Sequence, residues 1–120
     1  MTKSGIPPVT FKRIATAMGF SPMAKANLAE VYRIAQRCDA QMYVFHIGVW
    51  NDRCEMTYTG FLSELGISKS DVELVCKEGD PKEELRMLCQ ENSIDLLALG
   101  ALVREHMFKV FTVSIARDVC

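Results

Sequence analysis

The sequence lacks the long apolar run that a membrane-spanning helix needs. Its longest apolar stretch, Leu96–Val103, has eight residues, whereas a span takes about 20. The opening segment, MTKSGIPPVTFKRI, also lacks the apolar core and cleavage site of a secretory signal. These absences predict a cytoplasmic protein with no direct membrane insertion.

An excess of one charge is also missing. Fourteen Lys and Arg against fifteen Asp and Glu leave a net charge of −1, so nothing predicts attraction to nucleic acid. The cysteines show no CxxC spacing and are odd in number, which favours buried free thiols over a zinc cluster or a redox pair. They are Cys38, Cys54, Cys76, Cys89 and Cys120.

Signatures of catalysis are absent too. The sequence contains no GxSxG, GxGxxG or GxxxxGK[ST] motif. His46 and His106 lie far apart, with no Glu or Cys at ligand spacing. We therefore predict no catalytic set and no metal site, and we leave open whether the protein is an enzyme. Trp50 and Tyr58, in a middle segment read as a loop, either line a pocket or pack over the sheet.

The sequence has the size and composition of one globular domain. It has 120 residues, of which 49% are hydrophobic. We divide it into a lead, residues 1–10, and a domain, residues 11–120. Four strands are predicted, at Phe11–Met18, Gln41–Gly48, Val72–Cys76 and Ile94–Gly100.

Helices are predicted between these strands. One starts near Ser21 and runs to Cys38, a brief one ends at Gly66, and a third opens with the capping box of Asp80 and Glu83. A last helix runs from Val103 toward Cys120. Alternating strands and helices indicate a doubly wound α/β fold, a parallel sheet with helices on both faces.

Such sheets bind ligands beyond the carboxyl ends of their strands. The segments expected there are Ala17–Phe20, Gly48–Asn51, Glu78–Asp80 and Gly100–Val103.

Two segments carry a family resemblance. Residues 77–101, KEGDPKEELRMLCQENSIDLLALGA, closely resemble the Gly-Asp-Pro helix and following strand of the universal stress proteins, the UspA-like family. Residues 11–48, FKRIATAMGFSPMAKANLAEVYRIAQRCDAQMYVFHIG, are similar to that family's opening strand-helix-strand unit. The resemblance implies the strand order 3-2-1-4 and a role in the stress response.

The resemblance also implies where ATP is held in the members that bind it: an Asp at the end of the first strand and a G-x2-G-x9-G-S/T motif after the fourth. Here the first strand ends in Ala17-Met18-Gly19 without a carboxylate. The motif aligns with Gly100, Val103, Val113 and Ser114, so valines replace two glycines. Branched side chains there would block close backbone approach to phosphate.

The family usually continues into a fifth strand, which we expect to be absent or supplied by a partner. The edge of the fourth strand and the last helix would then need a cover. We expect a homodimer, or docking of a missing segment or second domain, that buries Val110 and Val113.

These observations favour a stress-response binding or regulatory module that has no cofactor and acts through association. One alternative is a nucleotide-binding universal stress protein with weak ATPase activity, which would hold ATP with Gly79, Gly100 and Ser114. Another is a cytosolic regulatory domain of a larger transporter or tandem protein.

Overall fold

The protein is described by a computed structural model. The structure describes residues 11–104 and 107–114, with side chains for residues 11–98. The lead at residues 1–10 and the end of the predicted last helix, residues 115–120, lie outside the described residues.

Five strands form one sheet in the order β3-β2-β1-β4-β5. The strands β1 to β4 are mutually parallel, and β5 runs antiparallel to β4. The predicted parallel order 3-2-1-4 is therefore confirmed. The bounds are β1 Arg13–Ala17, β2 Gln41–Ile47, β3 Val72–Lys77, β4 Leu96–Arg104 and β5 Met107–Ser114.

Helices cover both faces of the sheet, as predicted for a doubly wound fold. They are α1 Ala24–Cys38, α2 Asp52–Leu65 and α3 Pro81–Glu91, with a 3-10 turn at Lys69–Asp71. A core that includes Ile14 and Val44 packs beneath α1 and α2. A second core, built around Ala15 and Phe45, packs beneath α3. Neighbouring strand residues enter different cores because side chains alternate across a strand.

The ends of the helices follow from local sequence. Asp80 caps α3 by accepting a hydrogen bond from Glu83 N at 3.0 Å, which confirms the predicted start. Gly66 ends α2 in the left-handed conformation. Helix α2 is longer than the brief helix expected, because the Asn51 side chain caps it at the amide of Cys54.

The predicted last helix is wrong for residues 107–114, which form β5. The fifth strand is consequently neither absent nor supplied by a partner. Five of its eight residues are β-branched or aromatic, namely Phe108, Val110, Phe111, Thr112 and Val113. Such residues favour strands.

Strand β5 pairs along β4 from Leu96–Ser114 to Arg104–Met107. The edge of β4 that was expected to be open is therefore covered by the chain itself. Within the described part of the chain, no helix is long and apolar enough to cross a membrane.

Candidate functional site

The carboxyl ends of β1 and β2 meet at one edge of the sheet. The segments Ala17–Phe20 and Gly48–Asn51 follow these strands, as the sequence predicted. At the end of β1, Met18 is buried and its backbone N–H donates to Phe45 O at 2.8 Å. This end of β1 thus presents an apolar side chain and Gly19.

Four rings fill the space beyond β1 and β2. Phe20 lies 5.6 Å from both His46 and Trp50, measured between ring centroids, and His46 lies 5.2 Å from Trp50. Trp50 in turn meets Tyr58 edge-on at 5.7 Å. We call Phe20, His46, Trp50 and Tyr58 the aromatic cluster. Its geometry is that of favourable tilted and edge-to-face ring pairs.

His46 joins this cluster to the backbone of both loops. Its Nδ1 lies 2.9 Å from the carbonyl oxygen of Met18, and its Nε2 lies 3.3 Å from that of Val49. The imidazole is 8% exposed. Both ring nitrogens face backbone oxygens, which only accept hydrogen bonds. Because a neutral imidazole has one N–H, it donates to one of these two loops, and its tautomer decides which.

Glu55 anchors the other end of the cluster. Its carboxylate accepts from Trp50 Nε1 at 2.9 Å and from Lys69 Nζ at 3.3 Å. The hydrogen bond from Trp50, followed by that from Lys69, lowers the pKa of Glu55 below its ordinary value. The pKa of Tyr58 is raised to about 12, mainly by burial and also by the Glu55 carboxylate.

The sequence singles out Trp50 and Tyr58 but does not predict the cluster that joins them. Tyr58 lies in α2 and is 2% exposed, so it packs in the core. Trp50 is half-buried in the loop that precedes α2. One feature of the sequence could have indicated their contact: the segments that follow parallel strands all start at the same end of the sheet.

Gly79 lies at the carboxyl end of β3, with φ +141°. A Cβ at this position would lie 2.8 Å from Glu84 Oε2. The side chain of Glu84, in the first turn of α3, therefore fills the space that the glycine leaves open. Asp80 and Glu83 add two more carboxylates at the start of this helix. This end of α3 is thus acidic.

The residues aligned with the phosphate-binding motif lie on two paired strands. Gly100 and Val103 are in β4, whereas Val113 and Ser114 end β5. Leu99 pairs with Phe111 and Leu102 with Lys109. Strand β4 therefore has one extra residue at 100–101, a β-bulge.

The structure does not bring Gly79, Gly100 and Ser114 together. Ser114 pairs with Leu96, at the amino end of β4. Four residues of strand, about 13 Å at ~3.3 Å per residue, separate that pair from Gly100. Gly79 follows β3, three strands away from β4, which is about 14 Å at ~4.8 Å per strand.

A small pocket remains at this edge, beside β1 and beneath the start of α1. Its volume is about 70 Å³, and Thr16, Met18, Ser21 and Asn27 are among the residues that line it. Pockets for drug-sized ligands have volumes of about 300–1,000 Å³. The pocket is therefore too small for a nucleotide.

Comparison with known proteins gives matches to solved structures alone. No family model matches the chain, and no curated protein matches it. One structural match is a universal stress protein in complex with cAMP, with a TM-score of 0.61 and 16% identity over 74% of this chain and 71% of that chain. Another is the universal stress protein UspA from Lactobacillus plantarum, with a TM-score of 0.57 and 18% identity over 82% of each chain.

A third match is a universal stress protein from Archaeoglobus fulgidus, with a TM-score of 0.59 and 15% identity. The alignment covers 74% of this chain and 32% of that longer one. The three structures share the parallel α/β architecture described above, which the resemblance of residues 11–48 and 77–101 had implied. The chain has the universal stress protein fold.

Proposed function

We propose that this protein is a cytoplasmic stress-response module of the universal stress protein type that acts by association and without a bound adenine nucleotide. The observation that carries this proposal is the aromatic cluster. Phe20, His46 and Trp50 fill the edge beyond β1 and β2 with rings in mutual contact. An adenosine there would have to move the exposed Phe20 and the half-buried Trp50 out of their contacts with the buried His46.

The electrostatics of the site support the same conclusion. The end of β1 offers Met18 and Gly19 rather than a carboxylate, so no acid stands there to hold ribose hydroxyls. The start of α3 carries Asp80, Glu83 and Glu84. Lys82 stands among them and Glu83 pairs with Arg86, so their negative charge offsets only part of the attraction of a helix N-terminus for phosphate.

Association is the second part of the proposal. Strand β5 is the last strand of the sheet, and no described residue pairs with its outer edge. Its sequence, MFKVFTVS, is rich in apolar residues. Natural proteins cover or interrupt such edges because they invite pairing with another chain. We propose that a second copy or a second domain covers this edge, at Val110 and Val113.

One observation favours the alternative, nucleotide binding. A structural neighbour with a TM-score of 0.61 is a universal stress protein in complex with cAMP. The proposal of a domain within a longer protein draws on the neighbour of which this fold covers 32%. The test below decides between the proposal and nucleotide binding.

Trp50, the single tryptophan of the chain, reports directly on the aromatic cluster. We expect its fluorescence, excited at the red edge where adenine does not absorb, to be unchanged by ATP with magnesium or by cAMP. The unfolding midpoint should also stay constant. A ligand at 100 times its dissociation constant would instead stabilise the fold by about 2.7 kcal/mol.

Sodium tripolyphosphate at the same concentration and ionic strength is the control for ATP. A stabilisation or a tryptophan signal with ATP that exceeds the effect of tripolyphosphate requires the adenosine. That excess would contradict the proposal and favour the nucleotide-binding alternative.

A further inference from the structure

His46 is a buried histidine whose two ring nitrogens face two different loops. Its Nδ1 lies 2.9 Å from Met18 O and its Nε2 lies 3.3 Å from Val49 O, whereas N–H···O hydrogen bonds usually measure about 2.7–3.2 Å. The neutral ring has one N–H, and the shorter contact assigns this N–H to Nδ1. The lone pair of Nε2 then faces the carbonyl oxygen of Val49 with no proton between them.

The backbone brings Val49 O close to this nitrogen. Gly48 has φ +139°, a conformation that residues with a side chain rarely adopt, and a Cβ there would lie 3.5 Å from His46 Nε2. The Gly48 N–H donates to Lys77 O at 2.7 Å, which joins this turn to the end of β3. The chain therefore turns closely around the imidazole, and Val49 O separates from Nε2 when residues 48–51 move.

A second proton on the ring changes this contact. An imidazolium has two N–H groups, so it donates to Met18 O and to Val49 O at the same time. Hydrogen bonds from a charged donor are roughly twice as strong as neutral ones. We infer that protonation of His46 ties residues 48–51 to the end of β1, and that loss of the proton loosens them. The carboxyl edge of the sheet thus responds to pH where histidine changes charge, between about 5 and 8.

Three titratable groups near His46 keep one charge state through this range. Cys76 pairs with His46 in the register of β2 and β3, and burial raises the pKa of its thiol above 9.0. The hydrogen bond from Trp50 holds the pKa of Glu55 below 4.5. Burial raises the pKa of Tyr58 to about 12.

Cys54 and Lys69 are the other titratable groups on this side of the sheet. Cys54 Sγ lies 3.8 Å from the same oxygen of Val49, and Lys69 Nζ bonds the carboxylate of Glu55. The ion pairs of the described residues do not include His46. The acceptors of a protonated ring are therefore two backbone oxygens, which do not themselves titrate.

The test is an NMR titration of the ¹⁵N-labelled full chain between pH 8 and pH 5.5. Long-range ¹H–¹⁵N spectra of the imidazole report which ring nitrogens carry a proton. His46→Gln distinguishes these signals from those of His106, the other histidine of the chain. We expect a proton on Nδ1 alone at pH 8 and on both nitrogens at pH 5.5.

Hydrogen exchange of the Gly48 amide measures the movement of residues 48–51, because this N–H exchanges only when it leaves β3. Its protection factor, corrected for the intrinsic effect of pH on exchange, should rise about tenfold as the charged hydrogen bond forms. His46→Gln should abolish the rise, and Cys54→Ser should preserve it. The Gly66 amide, which bonds within the end of α2, is the internal control and should not respond.

A ring that stays neutral at pH 5.5 would overturn the inference, as would a neutral ring that carries its proton on Nε2. A Gly48 protection factor that ignores the charge of the ring would overturn it too. If His46→Gln does not fold, the wild-type spectra decide alone, since they report both ring protonation and amide protection. This closure does not depend on whether the protein binds a nucleotide, so its failure leaves the proposed function intact, whereas an adenosine-dependent signal from Trp50 contradicts the proposed function alone.

Discussion

The carboxylate of Glu84 lies where a side chain on Gly79 would begin, with Oε2 at 2.8 Å from the position of a Cβ. Gly79 also has φ +141°, a conformation that residues with a side chain rarely adopt. Two independent reasons therefore require glycine at this position. Neither involves a ligand, so the glycine needs no phosphate to explain it.

We expect Gly79→Ala to lower the free energy of unfolding by about 1–3 kcal/mol, through backbone strain and contact with Glu84. Urea denaturation measures this change. Gly19→Ala is the matched control, because a Cβ there meets no atom within 4 Å, and its effect should stay within about 0.5 kcal/mol. Equal stability of the two variants would contradict the strain argument.

The contact with Glu84 can be separated from the strain. In Gly79→Ala combined with Glu84→Ala, the clash disappears but φ stays unfavourable. Gly79→Ala should therefore cost less stability when it is added to Glu84→Ala than when it is made in the wild type. If Gly79→Ala costs no stability in the Glu84→Ala background, backbone strain at residue 79 contributes nothing.

Acid should weaken the hydrogen bonds by which Glu55 holds Trp50 and Lys69. The pKa of Glu55 is lowered below 4.5 by the hydrogen bond from Trp50 and by Lys69. Because the folded state holds the charged form, this stabilisation is fully present above the unfolded pKa near 4.5 and is lost as pH falls through the lower folded pKa. Glu55→Gln should therefore reduce the loss of stability between neutral and acidic pH.

Denaturation of wild type and Glu55→Gln at several pH values between 7 and 2 measures this difference. Glu91→Gln, which removes an exposed carboxylate at the end of α3, is the control and should follow the wild type more closely. A Glu55→Gln curve that runs parallel to the wild type at every pH would refute the role assigned to Glu55.

The architecture of residues 11–98 was predictable because local and tertiary preferences agree there. The capping box at Asp80, the apolar strands and the helix breaker Gly66 point to the same elements that the sheet requires. The helix predicted over residues 107–114 was wrong for a physical reason. A short stretch of apolar residues fits one face of a helix and also a buried strand, and pairing with β4 decides between them.

The aromatic cluster was beyond sequence analysis for another reason. Its members stand at positions 20, 46, 50 and 58, with no period in common. Register places them together: β1 and β2 pair in parallel from Arg13–Gln41 to Ala17–Phe45, which brings the loops after both strands to the same level. The prediction of buried free thiols is confirmed for Cys89 and wrong for Cys76, which is exposed.

The burial of Cys89 predicts chemical behaviour. Cys89 is 4% exposed, and burial raises its pKa from 9.0 to about 11. At pH 8 its thiolate fraction should be roughly a hundredfold smaller than that of an ordinary thiol. Iodoacetamide should label Cys89 of the native protein more slowly than the exposed Cys76, as measured by peptide mass spectrometry. In urea the difference should disappear; a fast native reaction at Cys89 would mean that α3 opens readily.

The outer edge of β5 gives the last prediction. An apolar edge strand of eight residues with unpaired backbone groups tends to pair with another chain. A stable interface buries about 1,000 Å² or more. Residues next to β5 must therefore also contact the partner, in addition to the paired strand. We expect a dimer by light scattering at micromolar concentration.

Val110→Asp should give a folded monomer, because a charge cannot be buried there without a partner, and Val110→Leu should remain dimeric. A wild-type chain that stays monomeric at high micromolar concentration would refute self-association at this edge, whereas loss of folding in Val110→Asp would instead place Val110 in the core of the domain.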